Sequence, residues 1–387
     1  MTSTGWDRVA LRCFCQKIGS GATPRGGDSV YVDEGTTLIR SQNVYNGAFA
    51  YEGLAFLGDS EAEALRGVTV HPGDVLLNIT GDSVARCCVA PEDVLPARVN
   101  QHVAIIRPRP GDFSARFLAY YLISPFMQET MLSMAGGGGT RKALTKNMIE
   151  RFIVPKPPLD QQARIVAVLD GYDDLIDNNR RRIKLLEDSV RLLFDEWFVR
   201  LQYPGHPTSA VIDGMPAGWS KLALEQVLVL QRGFDLPSQH REAGDVPIYG
   251  STGIVGFHNK AKVTGPGLVT GRSGSLGEVH FVAQDFWPLN TALWVKEFKR
   301  ATPLFALHVL RGMNLEQYNG GVSVPTLDRK VVHKAEVLLP PASIMERYES
   351  TAADVYRQIN TLSAMNGKLR TARDLLLPRL MSGELVI

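Results

Sequence analysis

Residues 159–201 read LDQQARIVAVLDGYDDLIDNNRRRIKLLEDSVRLLFDEWFVRL. The stretch has no proline and a single glycine, Gly171. Val168, Tyr172, Ile176, Asn179, Ile183, Leu186, Val190, Leu193 and Trp197 recur at steps of four and three, alternating from Tyr172 onward, the spacing of a heptad seam. A second stretch, from about residue 343 to 377, carries Val355, Ile359, Leu362, Asn366, Leu369, Arg373 and Leu376. Each of these lies 183 residues after its counterpart in the first series, from Tyr172 to Val355 onward. At 1.5 Å per residue, helices of roughly 35 to 42 residues are about 50 to 60 Å long. A single apolar stripe of that length needs a partner, and the nearest is its own repeat. Two copies related by a pseudo-two-fold axis would pair the helices antiparallel. The polar seam residues Asn179, Asn366 and Arg373 cost stability and fix register.

The repeat extends outward from the helices. GWDRVAL at Gly5 returns as GWSKLAL at Gly218, an offset of 213. TGDSVARCCV resembles SGSLGEVHFV, pairing Ser83 with Ser275, and Asn100 in VNQHVAII pairs with Asn290 in LNTALWVK. ALTKNMIERFIVPKPP pairs with TLDRKVVHKAEVLLPP, setting Leu144 on Leu327 and Pro158 on Pro341, both offset by 183. Drifting offsets in constant order mean loop insertions within one duplicated module. Each copy has short β-branched runs bounded by Gly, Pro, Asn and Asp, at 75–79 and 103–106, then at 267–270 and 291–295. Each also has one apolar helical patch, at 117–132 and 304–313, then a Pro-rich hinge and the long helix. The expected fold is α+β: two similar globular domains at 1–155 and 218–339, with hinge and helix at 156–203 and 340–387. Residues 204–217 hold three prolines and two glycines and read as a linker.

The 387 residues suit two or three domains, and 44% hydrophobic with 21% charged residues is a globular composition. A net charge of +2 is far below that of a non-specific nucleic-acid coater, so a DNA reader of this balance must gather its cations on one face. The four cysteines, Cys13, Cys15, Cys87 and Cys88, lack zinc spacing and read as reduced thiols. No apolar run approaches a membrane span, and a cytoplasmic protein is expected.

The hinge PKPPLDQQARIVAVLD, the helix IDNNRRRIKLLEDSVRLLFDEWFVRLQYPG and the ending RDLLLPRLMSGELVI resemble the specificity subunit of Type I restriction-modification systems. The second copy departs from the first: PPASIMERY lacks the Gln-Gln pair, and LLLPRLMSGEL replaces LFDEWFVRL. The two helix ends should therefore make different contacts. The resemblance implies a non-catalytic reader of double-stranded DNA. Each globular domain would be a target-recognition domain for one half of a bipartite, asymmetric site. The coiled-coil helices would set the half-site separation, which is commensurate with B-DNA at roughly 34 Å per turn. Two methyltransferase subunits would dock on this chain, and translocase-nuclease (restriction) subunits would join for cleavage.

Base edges are read by Arg, Asn, Gln, Ser or Thr on loops held by a rigid scaffold. In the first copy such loops are LIRSQNVYNG (Arg40, Ser41, Gln42, Asn43, Tyr45), NITGDSVAR (Asn78, Thr80, Ser83, Arg86) and VNQH (Asn100, Gln101, His102). In the second they are IYGSTG (Tyr249, Ser251, Thr252), TGRSGS (Arg272, Ser273, Ser275) and LNTA (Asn290, Thr291). The competing reading is that the Asn and Ser residues cap turns. AGGGGTRK lacks the G-x4-G-K-[ST] spacing of a nucleotide loop, leaving Arg141 and Lys142 as phosphate contacts, with Arg329 and Lys330 of NGGVSVPTLDRK as counterparts.

No cofactor loop, N-P-P-Y-type segment, G-x-S-x-G elbow or H-E-x-x-H occurs, and Asp74, Asp82 and Glu278 are scattered without nuclease spacing. No cofactor, metal or catalytic residue is expected here; catalysis would belong to partner subunits. The rivals are a stand-alone site-specific nuclease or methyltransferase with unrecognised motifs, and a coiled-coil scaffold whose domains bind protein.

Overall fold

A computed structural model of the chain describes residues 5–136, 142–205, 211–212, 215–321, 323–385 and 387. The chain divides into two compact units, Met1–Asp177 with Asn366–Ile387, and Asn178–Met365. The fold is α+β, as expected, with two long helices at Leu159–Phe194 and Ala342–Ser382. Among the described residues no helix is long and apolar enough to cross a membrane.

In the first unit, strand Asp7–Ala10 pairs antiparallel with Ile153–Lys156, so the start and end of the domain lie side by side. Between them stands a four-stranded antiparallel sheet in the order Cys87–Val89, Val75–Asn78, Val103–Pro108, Cys15–Ser20. A five-stranded sheet includes one parallel pair, Thr36–Ile39 with Ala97–Val99. Val75, Leu76, Leu77, Ile105 and Ile106 are all buried, so these short runs are core strands with both faces covered. The apolar patch expected at 117–132 is two helices, Ala115–Ile123 and Pro125–Gly136. The break falls at Ser124, because proline disfavours helical geometry in the residue before it. Ser114 caps the first of these through its hydroxyl, which accepts from Phe117 N at 3.3 Å.

The second unit repeats the plan. Ser220–Ala223 pairs antiparallel with Glu336–Leu339. Its four-stranded sheet has the equivalent order, Val279–Val282, Gly267–Gly271, Ala292–Phe298, Leu228–Arg232. Its smaller sheet keeps the parallel pair, Val246–Gly250 with Trp287–Pro288, and has three strands instead of five. Asp7 opposite Lys156 becomes Ser220 opposite Leu339, which reproduces both offsets, 213 and 183, read from the ends of the repeat. Within the expected linker, Val211–Ile212 pairs with Met215–Pro216.

Both units hold the two long helices antiparallel. In the first, Arg373 reaches Asp173 at 2.5 Å and Asn366 donates to the Ile176 carbonyl at 3.3 Å, so one helix recedes as the other advances. In the second, Asp195 acts on Tyr348 and Glu187 on Tyr356, again in opposite order. Ile176, Asn179, Val190, Ile359, Leu362 and Asn366 of the expected seam are buried. Val168 is not: it is exposed, and Ile165 and Leu169 enter the first domain's core instead. Likewise Phe194 and Phe198 are buried where Leu193 and Trp197 are half-buried. Where a globular domain packs beside a two-helix seam, the apolar arc must rotate toward it.

Candidate nucleic-acid interface

Hydrogen bonds fix which residues of the two domains are equivalent. Leu144 N donates to Ile79 O at 2.8 Å, and Leu327 N to Arg272 O at 2.8 Å. Gly81 N donates to Lys142 O at 3.1 Å, and Gly274 N to Pro325 O at 2.9 Å. Isolated bridges join Thr80 to Ala143 and Ser273 to Thr326. The loop after the central strand is therefore tied down identically in both domains. Both turns need positive φ, at Gly81 (73°) and Gly274 (93°). Farther on, buried Ala85 has φ 73° where the second copy has Gly277 at 96°. The first loop is thus one residue longer across this stretch.

The same bonds correct two sequence pairings. Asn100 N donates to Ile39 O as Leu289 N does to Tyr249 O, so Asn290 matches Gln101 rather than Asn100. Lys142 matches Pro325. Arg329 and Lys330, at the start of helix Arg329–Val332 capped by Asp328, match Lys146 and Asn147 of the helix capped by Thr145.

In the first domain the loops present Tyr45, Thr80, Ser83, Arg86, Gln101 and Lys142 to solvent, wholly or in part. The Arg86 guanidinium lies 4.7 Å from the Tyr45 ring centroid, a cation–π pair on the surface. The His102 ring joins Thr80 Oγ1 at 2.6 Å to Gln101 Nε2 at 3.0 Å. Three candidates bond the backbone of their own loops or of neighbouring ones. Asn78 is fully buried and its amide donates to Ser41 O at 2.8 Å. Asn43, also buried, accepts from Arg40 N at 3.0 Å and donates to Ala50 O at 2.9 Å. Asn100 is half-buried, and its side-chain oxygen accepts from His102 N at 3.1 Å. These are side-chain-to-backbone bonds that shape the loops. Arg40 is half-buried: Nη2 donates to Gly53 O at 2.5 Å and the guanidinium sits 5.6 Å from the Tyr31 ring. Ser41 contributes its carbonyl to Asn78. Arg141 lies outside the described residues.

In the second domain Ser251, Arg272, Ser273, Asn290 and Thr291 are part-exposed, and Ser275, Arg329 and Lys330 are exposed. Arg272 Nε donates to Asn290 O at 2.7 Å, and the Asn290 amide bonds to the Asp235 carboxylate. Thr291 O accepts from Arg272 N and Ser273 N at 2.9 and 3.1 Å. A Cβ on Gly271 would meet Ser275 O at 1.9 Å and Ser251 O at 3.1 Å, so those two serine loops close on one glycine. Tyr249 is a core residue: burial pushes its phenol pKa up, and its ring packs against Phe286. Two further cations were not among the candidates that sequence suggests: Arg232, which lies at a strand end before Gly233, and Lys262, 5.2 Å from the Trp287 ring. The one available signal for Arg232 is a cation beside a glycine at the position of Gly21.

All four cysteines are free; burial pushes the Cys88 thiol up to about 12 and Cys87 well above its ordinary value. Among the described residues no three His, Cys, Asp or Glu side chains group as a metal would require.

Comparison with known proteins gives one consistent result. The Type I restriction modification DNA specificity domain matches residues 27–188. The Type I restriction enzyme MjaIX specificity subunit of Methanocaldococcus jannaschii is 24% identical over 318 residues, 75% of this chain and 73% of the relative. The HindI specificity subunit of Haemophilus influenzae is 23% identical over 192 residues, 49% of this chain and 41% of the relative. The crystal structure of the Type-I restriction-modification system S subunit from M. genitalium has the same fold, with TM-score 0.60 at 14% identity, covering 98% of this chain and 97% of that one.

Proposed function

The chain belongs to the Type I restriction-modification specificity subunits, and from that membership we infer that it is the non-catalytic DNA-recognition subunit of a larger enzyme. Each globular domain reads one half of a bipartite, asymmetric site in double-stranded DNA. The helices set the separation of the halves and dock two methyltransferase subunits, and restriction-translocase subunits complete the complex in the cytoplasm. Methyl transfer and cleavage take place on those partners.

The observation that carries this reading is the pair of equivalent tied-down loops, Thr80 to Arg86 against Ala143 and Ser273 to Gly277 against Thr326. Base readout needs side chains on a loop that does not move when DNA arrives, because immobilising it on binding would consume affinity. Thr80, Ser83, Gln101 and the stacked Tyr45 and Arg86 are the first domain's base-reading set. Ser251, Ser273, Ser275, Asn290 and Thr291 are the second's. Lys142 contacts the backbone phosphates in the first domain, and the part-buried Arg40 and Ser41 support its loop from behind.

Methylation-site sequencing of host DNA with and without this gene tests the reading. Loss of one bipartite adenine-methylated motif is expected. An unchanged methylome in a host expressing the methyltransferase, or methyl transfer by the purified chain alone, overturns it.

A further inference from the structure

Four cations of the second domain meet at one cleft. Arg232, Arg272, Arg329 and Lys330 line a cavity of about 480 Å³, together with the Asp328 carboxylate and the Leu293 side chain. The cations come from three separate segments: a strand end, the tied-down recognition loop and a helix start. Arg272 is held in place by its Nε bond to Asn290 O, and Arg329 Nη1 donates weakly to Leu230 O at 3.4 Å. Asp328 is already used, since its Oδ1 accepts from Lys330 N at 2.9 Å. Among the described residues, the ion pair made by these four is Arg232 with Asp235 at 3.7 Å, both sides exposed, which contributes little. The cleft therefore gathers several positive charges around one engaged carboxylate. Such a set costs free energy by mutual repulsion unless an anion occupies it.

The first domain is an internal control. Ser20 stands where Arg232 is, because Ser20 pairs with Ala104 as Arg232 pairs with Leu293. Ile79 stands for Arg272, Lys146 for Arg329 and Asn147 for Lys330. Four cations become one, and Lys146 faces Glu150 at 3.6 Å. The scaffold does not need the other three charges, since the same fold forms without them.

We propose that the second domain alone carries a phosphate clamp, in which this cleft holds a backbone phosphate of the duplex beside the half-site its loops read. The assignment rests on the DNA-reading role above. A phosphodiester fits because Arg offers forked donors matched to phosphate oxygens and Lys a point charge. The clamp reads no sequence; it makes the second domain the salt-sensitive anchor, with the first domain relying more on its loop contacts.

The test uses the full chain assembled with its methyltransferase partners and a duplex carrying the methylated motif. The triple variant Arg232→Ala, Arg329→Ala and Lys330→Ala removes exposed charges and spares Arg272, which supports Asn290. The slope of log K against log salt should become shallower by about 1, at roughly 0.9 for the one phosphate no longer neutralised. The recognised motif should stay the same, because phosphate binding positions rather than specifies. An unchanged slope with intact hydrogen exchange in the second domain overturns the clamp and leaves the reader assignment standing. A changed motif also overturns it, since the cleft would then read bases. Calorimetric binding of inorganic phosphate without any change in the DNA slope would mark a small-anion site instead. Absence of bipartite preference in the unmodified complex would bring down the reader assignment itself.

Discussion

The two units fasten domain to helices at equivalent positions with opposite chemistry. In the first, the Tyr120 hydroxyl lies 2.7 Å from both Asp170 and Asp173, Arg116 pairs with Asp170, and Arg373 pairs with Asp173. In the second, the same positions are His308 for Tyr120, Tyr356 for Asp173 and Val190 for Arg373. There these positions meet rings: His308 lies 5.4 Å from Phe194, itself 5.7 Å from Phe305, and Tyr356 lies 5.1 Å from Phe281. A backbone arrangement that accepts either a charge network or an aromatic cluster is specified by shape and helix register, not by one set of side chains. The two joints should nevertheless fail under different conditions.

The largest expected effect is in the aromatic joint. Phe305→Ala empties a fully buried site and should cost about 3 to 5 kcal/mol, seen as lost hydrogen-exchange protection in the second domain with the first unaffected. In the polar joint, Asp173→Ala removes the partner of Arg373 Nη1 and of the Tyr120 hydroxyl, leaving Arg373 with Asp374, and should cost about 2 kcal/mol, since the pair is only partly screened from water. The double replacement Asp173→Leu with Arg373→Met should recover to within about 1 kcal/mol of the native chain. If the double variant is as unstable as the single, the joint depends on its charges and the comparison fails. Acid should also separate the units. Burial, then the charges of Arg311 and Arg191, hold His308 down at about 3, well below its ordinary 6.5. The fold favours the neutral ring, so this contribution is complete above pH 6.5 and is lost as pH falls from 6.5 toward 3. His308→Leu should flatten that part of the second unit's pH–stability curve and leave the first unit's unchanged. The smallest effect concerns the two loops. Gly277→Ala imposes positive φ on a side chain that would meet Glu316 Oε1 at 2.9 Å, and should cost about 1 kcal/mol by thermal unfolding.

The architecture was legible in the sequence because it rests on long-range regularities. The Gly-Trp start, the Pro-Pro end and the shared heptad phase each recur with a fixed offset, and a seam of that length has few ways to be buried. The site was less legible because it turns on single residues. Asn78 and Asn43 have the composition and setting of base readers, yet each satisfies buried backbone carbonyls, and nothing in a lone sequence separates an asparagine that caps from one that reads. Asn290 slipped by one place because loop lengths differ where only hydrogen bonds define equivalence. Arg232 escaped notice, and with it the cleft it shares with Arg272, Arg329 and Lys330, for a related reason: it is forty residues from Arg272, and only strand pairing brings them together.

The ribbons Asp7–Ala10 with Ile153–Lys156 and Ser220–Ala223 with Glu336–Leu339 have a consequence for how such proteins diversify. A module that is joined to the rest of the chain through two neighbouring strands behaves like a plug with two adjacent pins. Genetic exchange with crossovers at those pins would install a foreign reader without moving the backbone beyond it. On the proposed function, new site preferences would thus arise by trading whole modules between genes, with the paired long helices left unchanged.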